Sequence, residues 1–157
     1  MARILNTDTG FGIWSVERVR SELIEHLVTP KAASLLYYKD QLVGFNATFV
    51  DVTRTPKTGT MTWLSLLPAH RNKGLGRALF LHTTGYFSGK GYEKIIFTTD
   101  PYRLKAIGIY LSEGAVPVYN ALSAIVSWWV IKRRLRRLTE DRVRSRRGML
   151  PSSRCLD

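Results

Sequence analysis

Leu66-Leu67-Pro68-Ala69-His70-Arg71-Asn72-Lys73-Gly74-Leu75-Gly76-Arg77-Ala78-Leu79 leads from an apolar strand end through Arg-x-x-Gly-x-Gly straight into a helical pattern. Gly74 and Gly76 carry no β-carbon and tolerate positive φ, so consecutive backbone N–H groups can turn inward and approach a phosphate closely. The first turn of the following helix adds unpaired N–H groups and the positive end of its dipole. Arg71, Lys73 and Arg77 supply the counter-charge. Two other phosphate loops fail on their residues. A dinucleotide fingerprint requires a small third residue where Leu79 stands, and no Gly-Lys-Ser or Gly-Lys-Thr occurs for a nucleotide-hydrolysing loop. The remaining alternative is a basic strand-to-helix connector whose glycines serve only the turn.

The rest of the chain decides between these readings. Arg71-x-x-Gly74-x-Gly76, preceded by Leu-x-Pro at a strand end, resembles the acyl-CoA pyrophosphate loop of the GNAT superfamily of N-acetyltransferases. Thr99-Asp100-Pro101-Tyr102-Arg103-Leu104-Lys105-Ala106-Ile107-Gly108-Ile109-Tyr110-Leu111-Ser112-Glu113-Gly114-Ala115 is similar to the second half of that family's signature, with Ala106, Tyr110 and Gly114 in register. Arg103 stands where the family usually has Asn, and Ala115 where it has Phe. The resemblance covers about residues 33 to 119. It implies acetyl-CoA as acyl donor, held by Arg71, Asn72, Lys73, Gly74, Leu75, Gly76 and Arg77 at the pyrophosphate, by backbone groups of Leu66 and Leu67 at the pantetheine arm, and by Arg103. It also implies an N-acetyltransferase that passes an acetyl or other short acyl group to a primary amine by direct attack. The alternative is a non-catalytic acyl-CoA-binding module, peripheral to a membrane or a ribonucleoprotein.

Acyl transfer needs a proton for the departing thiolate. Tyr110 lies one helical turn beyond Ala106, and its phenol, with an ordinary pKa near 10, can protonate a thiolate whose thiol has a pKa of about 8.5. On spacing alone the same residue also reads as an amphipathic core tyrosine. Asp100, at a strand's carboxyl end, is either a proton relay for an ammonium acceptor or a cap on the next helix, for which Asp-Pro is the expected start. His26, His70 and His82 are scattered without metal-ligand or triad spacing, so no metal is expected.

The chain has 157 residues, of which 45% are hydrophobic, enough for one domain with a buried core. Its N-terminus lacks the apolar run of a signal peptide, and its single cysteine, Cys155, lies in a polar tail, so a reducing cytoplasm is expected. Lys132 to Asp157 holds ten basic residues against three acidic ones, or +7 of the net +12. This end reads as a solvated arginine-rich helix end fraying at its tip, with contact to anionic lipid or RNA as the alternative and no specific nucleic acid expected. Residues 1–131 are accordingly assigned to an acyl-CoA-binding domain and 132–157 to a basic helix end and tail.

Ser15 caps an expected helix over about 15–28, with Val16, Val19, Leu23, Ile24 and Leu27 at helical spacing. An antiparallel hairpin over 34–38 and 42–51 follows, turning at Lys39-Asp40-Gln41, then a strand over 60–67, a helix over 75–88, a short buried strand over 94–99, a helix over 103–113 and a last strand over 116–119. The apolar run from Ala121 is expected to form a terminal helix packed on the sheet, with a stripe of Ala121, Ala124, Trp128, Ile131, Leu135 and Leu138; a closing strand or an interfacial anchor are the alternatives. The sum is an α+β fold: a mixed, twisted, mostly antiparallel sheet with helices on both faces, in which the strands ending at Leu67 and Thr99 are a central parallel pair, which the resemblance to the GNAT superfamily implies splays apart. The family usually begins with a further strand, for which the fourteen residues before Ser15 leave little room.

Overall fold

The structure is a computed structural model that describes residues 1–7, 12–27, 33–51, 57–119 and 122–148. The chain divides into two compact units, Met1–Thr98 and Thr99–Asp157.

The first unit is built on a four-stranded sheet in the order β1 (Ala33–Tyr38), β2 (Gln41–Asp51), β3 (Thr58–Leu66), β4 (Lys94–Phe97). β1 and β2 form the expected hairpin, and Tyr38 pairs with Gln41 across a two-residue turn. Lys39 and Asp40 both take positive φ, +46° and +59°, the conformation whose twist matches a tight hairpin. β2 and β3 are antiparallel, whereas β3 and β4 are parallel, joined through α3 (Leu75–Gly89).

Alternation along β2 sends its side chains to two different layers. Phe45 and Ala47 face a core with Ile4 and Leu5 of α1 (Ala2–Leu5), Val19 of α2 (Val16–Val19), and Trp14 and Leu23 just before and after α2. Asn46 faces the other way and donates from Nδ2 to Thr83 Oγ1 of α3, at 3.3 Å. Thr83 spends its one proton on the Leu79 carbonyl at 2.8 Å, so Ser34 Oγ, 3.0 Å away, donates to Thr83. Ser34 in turn accepts from His82 Nδ1–H at 3.0 Å, which fixes the histidine tautomer and ties β1 to α3. Helices therefore cover both faces of the sheet, as the sequence implies.

The N-terminal segment departs from the family's usual opening strand: α1 is a helix, with Ile4 and Leu5 fully buried. Ser15 is the expected N-cap and accepts the Arg18 N–H at 3.1 Å. The helix is shorter than the 15–28 expectation, because α2 passes at Arg20–Ile24 into a π-helical turn closed by Glu25 N–H to the Arg20 carbonyl. The wider turn rotates the apolar stripe, so Val19 and Leu23 are buried while Val16 and Ile24 are exposed. Thr29 and Pro30 lie outside the described residues.

The second unit contains α4 (Leu104–Ser112) and α5 (Leu122–Gly148). α5 is the helical alternative for the C-terminal segment and runs unbroken across Ile131–Lys132, where the sequence-based division was placed. Its Leu135 methyl lies 3.8 Å from where a β-carbon on Gly108 of α4 would stand. Ala124, Trp128, Ile131 and Leu135 are at least partly buried, as the stripe requires, but Leu138 is exposed. α4 has nine residues and α5 twenty-seven, so α5 outruns its partner. Ala121 lies outside the described residues. The expected strand over 116–119 does not form: Val116 and Val118 are exposed, and Pro117 removes a ladder N–H between them.

Candidate functional site

The parallel pair β3–β4 stops pairing at Met61–Phe97, although β3 continues to Leu66. On its other edge, β3 is irregular beside the same residues. Phe45 pairs with Ser65 and Ala47 with Thr62, so Asn46 alone faces both Trp63 and Leu64, a β-bulge. Trp63 takes φ +55°, a strained backbone for a bulky residue. Packing holds it there: the Trp63 ring meets Trp14 edge-on at 4.8 Å. Trp14 is in turn gripped by Asn6, which accepts its N–H at 2.8 Å and donates to its carbonyl at 2.9 Å. β4 ends at that last pair, so β3 runs on to Leu66 beyond its parallel neighbour. Sequence reasoning did not find Trp63, Asn46 or Asn6, because no glycine marks the bulge.

At the end of β3, Leu67 N–H bonds the Val43 carbonyl of β2 at 2.8 Å. By strand alternation, the N–H and C=O of Leu66 point to the opposite edge, where β4 has already ended. The Leu66 carbonyl accepts Arg71 Nε at 3.0 Å, and an Arg71 Nη reaches Thr7 Oγ1 at 3.5 Å. Of the two leucines, Leu66 thus offers its backbone to the open edge, whereas the Leu67 N–H is already used within the sheet. Arg71 braces the strand end.

A 3₁₀ turn, Pro68–His70, leads into the loop. Asn72 and Gly74 take φ +62° and +79°, alternating with Lys73 in the manner of an anion-cradling nest. Gly74 is the N-cap of α3, and the helical ladder begins with Ala78 N–H to the Gly74 carbonyl. The N–H groups of Lys73, Gly74, Leu75 and Gly76 have no backbone partner among the described residues. They gather at the positive end of a fifteen-residue helix dipole, beside the exposed side chains of Lys73 and Arg77. A β-carbon on Gly74 would meet no atom within 4 Å, so the glycine serves the left-handed backbone and not a tight contact. Acidic side chains are missing from the first turn of α3, as an anion site requires. The loop thus gathers these N–H groups and the positive side chains of Lys73 and Arg77 at one place, while the Arg71 guanidinium is turned back to Leu66 and Thr7.

In the second unit, a turn closed by Arg103 N–H to the Asp100 carbonyl precedes α4. Arg103 Nε donates to Asp100 Oδ2 at 2.9 Å, and an Nη donates to Tyr102 Oη at 3.0 Å. That hydrogen bond to Arg103 holds the Asp100 carboxyl below the usual range, so it is a weak proton acceptor committed to orienting an arginine. Arg103 is the N-cap of α4 and has no side-chain cap bond, so Asp100 does not serve as the helix cap. Tyr102 is a partner of Arg103 that sequence reasoning missed. Tyr110, on α4, is buried, and burial pushes its phenol up to about 12 although the Arg103 guanidinium pulls the other way. At neutral pH it is a fully protonated acid. Among the described residues no cluster of His, Cys, Asp and Glu is arranged to hold a metal ion.

The acetyltransferase (GNAT) family model matches residues 2–114. No curated protein matches the chain by sequence. Among solved structures, the chain is similar to a Trypanosoma brucei acetyltransferase, at 17% identity and a TM-score of 0.60 over 77% of this chain and 87% of that one. It is also similar to a ribosomal-protein-alanine N-acetyltransferase from Brucella melitensis biovar Abortus, at 17% identity and 0.57 over 76% and 86%. A third is the aminoglycoside N-acetyltransferase AAC(6')-Iy in complex with CoA, at 13% identity and 0.52 over 62% and 69%. At these identities the likeness is one of fold.

Proposed function

The chain belongs to the acetyltransferase (GNAT) family, and we propose from that premise that it transfers an acetyl group from acetyl-CoA to a primary amine by direct attack. The observation that carries this reading is the loop at Asn72 to Gly76: left-handed backbone at Asn72 and Gly74, N–H groups from Lys73 to Gly76 with no backbone partner among the described residues, and a helix N-terminus set at the end of a strand that outruns its parallel neighbour. The pyrophosphate oxygens accept from the N–H groups of Lys73, Gly74, Leu75 and Gly76, and Arg71, Lys73 and Arg77 balance their charge. A pantetheine amide carbonyl accepts from the Leu66 N–H, whose own carbonyl is held by Arg71, so the arm lies along β3 where a strand neighbour would. Two of the similar structures are named for N-acetyl transfer, which supports nitrogen as the acceptor atom.

In the chemical step the amine lone pair attacks the thioester carbon, the C–S bond breaks, and the amide forms. The ammonium proton leaves to water, and the thiolate takes the Tyr110 proton. A phenol at about 12 gives up its proton less readily than an ordinary tyrosine. The desolvation that raises it acts equally on a thiolate leaving beside it and narrows the gap between the two. Asp100 and Tyr102 act as positioning residues for Arg103, whose cation moderates the effect of burial on Tyr110. A cytoplasmic setting completes the reading. The test is a panel of primary amines, from amino sugars to peptide N-termini, assayed for thiol release from acetyl-CoA. Amine-dependent release that is lost in Gly76→Trp supports transfer. Binding of acetyl-CoA without release to any amine makes the protein an acyl-CoA-binding module.

A further inference from the structure

The two sides of α5 differ in kind. Ala124, Trp128, Ile131 and Leu135 form its packed stripe. At 3.6 residues per turn, Ile125, Trp129, Lys132, Arg133 and Arg136 share a second face, centred about a third of a turn from that stripe, with Val126 and Arg137 at its far edge. Ile125, Val126 and Trp129 are 52%, 64% and 62% exposed, an unusual display of apolar surface on one helix face. The exposed basic side chains begin one turn further on, and Arg133 stacks its guanidinium over the Trp129 ring at 5.5 Å. Just upstream, Val116, Val118 and Tyr119 are exposed as well. A helix face that is apolar and aromatic for its first turns and cationic for the next matches a lipid boundary, where acyl chains lie beside phosphates. No described helix is long and apolar enough to cross a membrane, so the match is to a helix lying on the surface.

We propose that α5 rests on an anionic lipid surface, with Ile125, Val126 and Trp129 at the boundary between headgroups and acyl chains and Lys132, Arg133, Arg136 and Arg137 on the lipid phosphates. Charge decides against a second copy of the chain, since pairing two such faces would bring eight cations together against only the two Glu140 carboxylates that share the face. Nucleic acid would satisfy the arginines but leave Ile125 and Val126 in water. The long basic stems also let the charges reach the phosphates while their methylenes stay with the apolar layer.

The test is flotation of the full chain with vesicles of phosphatidylcholine alone and of phosphatidylcholine containing one third phosphatidylserine. The chain should float with the anionic vesicles only, and half-molar salt should release it. Each basic residue near such a surface is worth about fivefold in partition, so Arg133→Ala/Arg136→Ala should weaken binding by about twenty-five-fold. Trp129→Ala should weaken it by roughly tenfold. All these side chains are exposed, so both variants should keep the wild-type thermal transition, which is measured alongside. Equal flotation with neutral vesicles, or none with anionic ones, overturns the proposal. So does Trp129→Ala with full affinity together with displacement of the chain from vesicles by single-stranded RNA, since that pattern belongs to a nucleic-acid surface.

Discussion

Replacing Gly74 and Gly85 by alanine, one at a time, separates the two things a glycine can do in this fold. Both positions are open, since a β-carbon at either would meet no atom within 4 Å. They differ in backbone alone: Gly74 has φ +79° at the N-cap of α3, while Gly85 lies inside the same helix. Alanine at Gly74 forces an L-residue into the left-handed region, at a cost of about 1–2 kcal/mol. Alanine at Gly85 removes the entropy penalty of a helical glycine and adds about 0.5–1 kcal/mol of stability. In a chain of this size 1 kcal/mol moves the melting temperature by roughly 2–4 °C. Gly74→Ala should therefore melt about 2–8 °C below wild type and Gly85→Ala about 1–4 °C above it, by circular dichroism. Gly74→Asn, whose side chain tolerates positive φ, should recover much of the loss. If strain is relieved by flattening the nest, Gly74→Ala should also bind acetyl-CoA more weakly, with Gly85→Ala unaffected. Shifts of the same sign at the two positions, or a Gly74→Asn variant no better than Gly74→Ala, would refute the left-handed loop.

Other predictions follow from single contacts. Gly59→Ala should cost about 1–3 kcal/mol, because the new methyl would stand 2.5 Å from the fully buried Phe87 ring; chemical denaturation reads this directly. Tyr110→Phe should lower turnover by roughly 10²–10⁴-fold with little change in acetyl-CoA affinity, whereas joint loss of cofactor binding and thermal stability would make the hydroxyl structural. The raised phenol also has a thermodynamic signature. Between an unfolded pKa of 10 and a folded value of about 12, the unfolded chain has lost a proton that the native state retains, so stability must fall as pH rises. The fall is about 2–3 kcal/mol across that window and should be missing from Tyr110→Phe, as alkaline melting curves of the two proteins would reveal.

Much of this architecture was legible because local chemistry and global fold agree. Lys39-Asp40 between alternating strands, the Ser15 cap, and the Arg-x-x-Gly-x-Gly connector are short-range signals whose outcome needs no distant partner. What escaped depends on contacts far apart in the chain. The bulge at Trp63 exists because Trp14 and Asn6 hold it, residues some fifty positions upstream, and nothing in Thr-Trp-Leu-Ser announces a positive φ. The π-helical turn after Val19 shortened a helix that simple periodicity extends to residue 28. The extended reading of residues 116–119 failed because alternation is necessary for a strand but a partner edge makes one. Within the candidate site, the loop was read residue by residue, while the binding of Arg103 by Asp100 and Tyr102 emerged only from side-chain geometry.

The central claim is that the Arg71–Arg77 loop receives the pyrophosphate of acetyl-CoA, and the melting temperature measured with and without acetyl-CoA tests it most directly. At about a hundred times the dissociation constant the ligand should add roughly 2.7 kcal/mol, or about 5–11 °C in a chain of this length. The account predicts that rise in the wild-type protein and its loss in Gly76→Trp, whose indole would fill the concavity. No rise at millimolar acetyl-CoA, or an equal rise in Gly76→Trp, would contradict it.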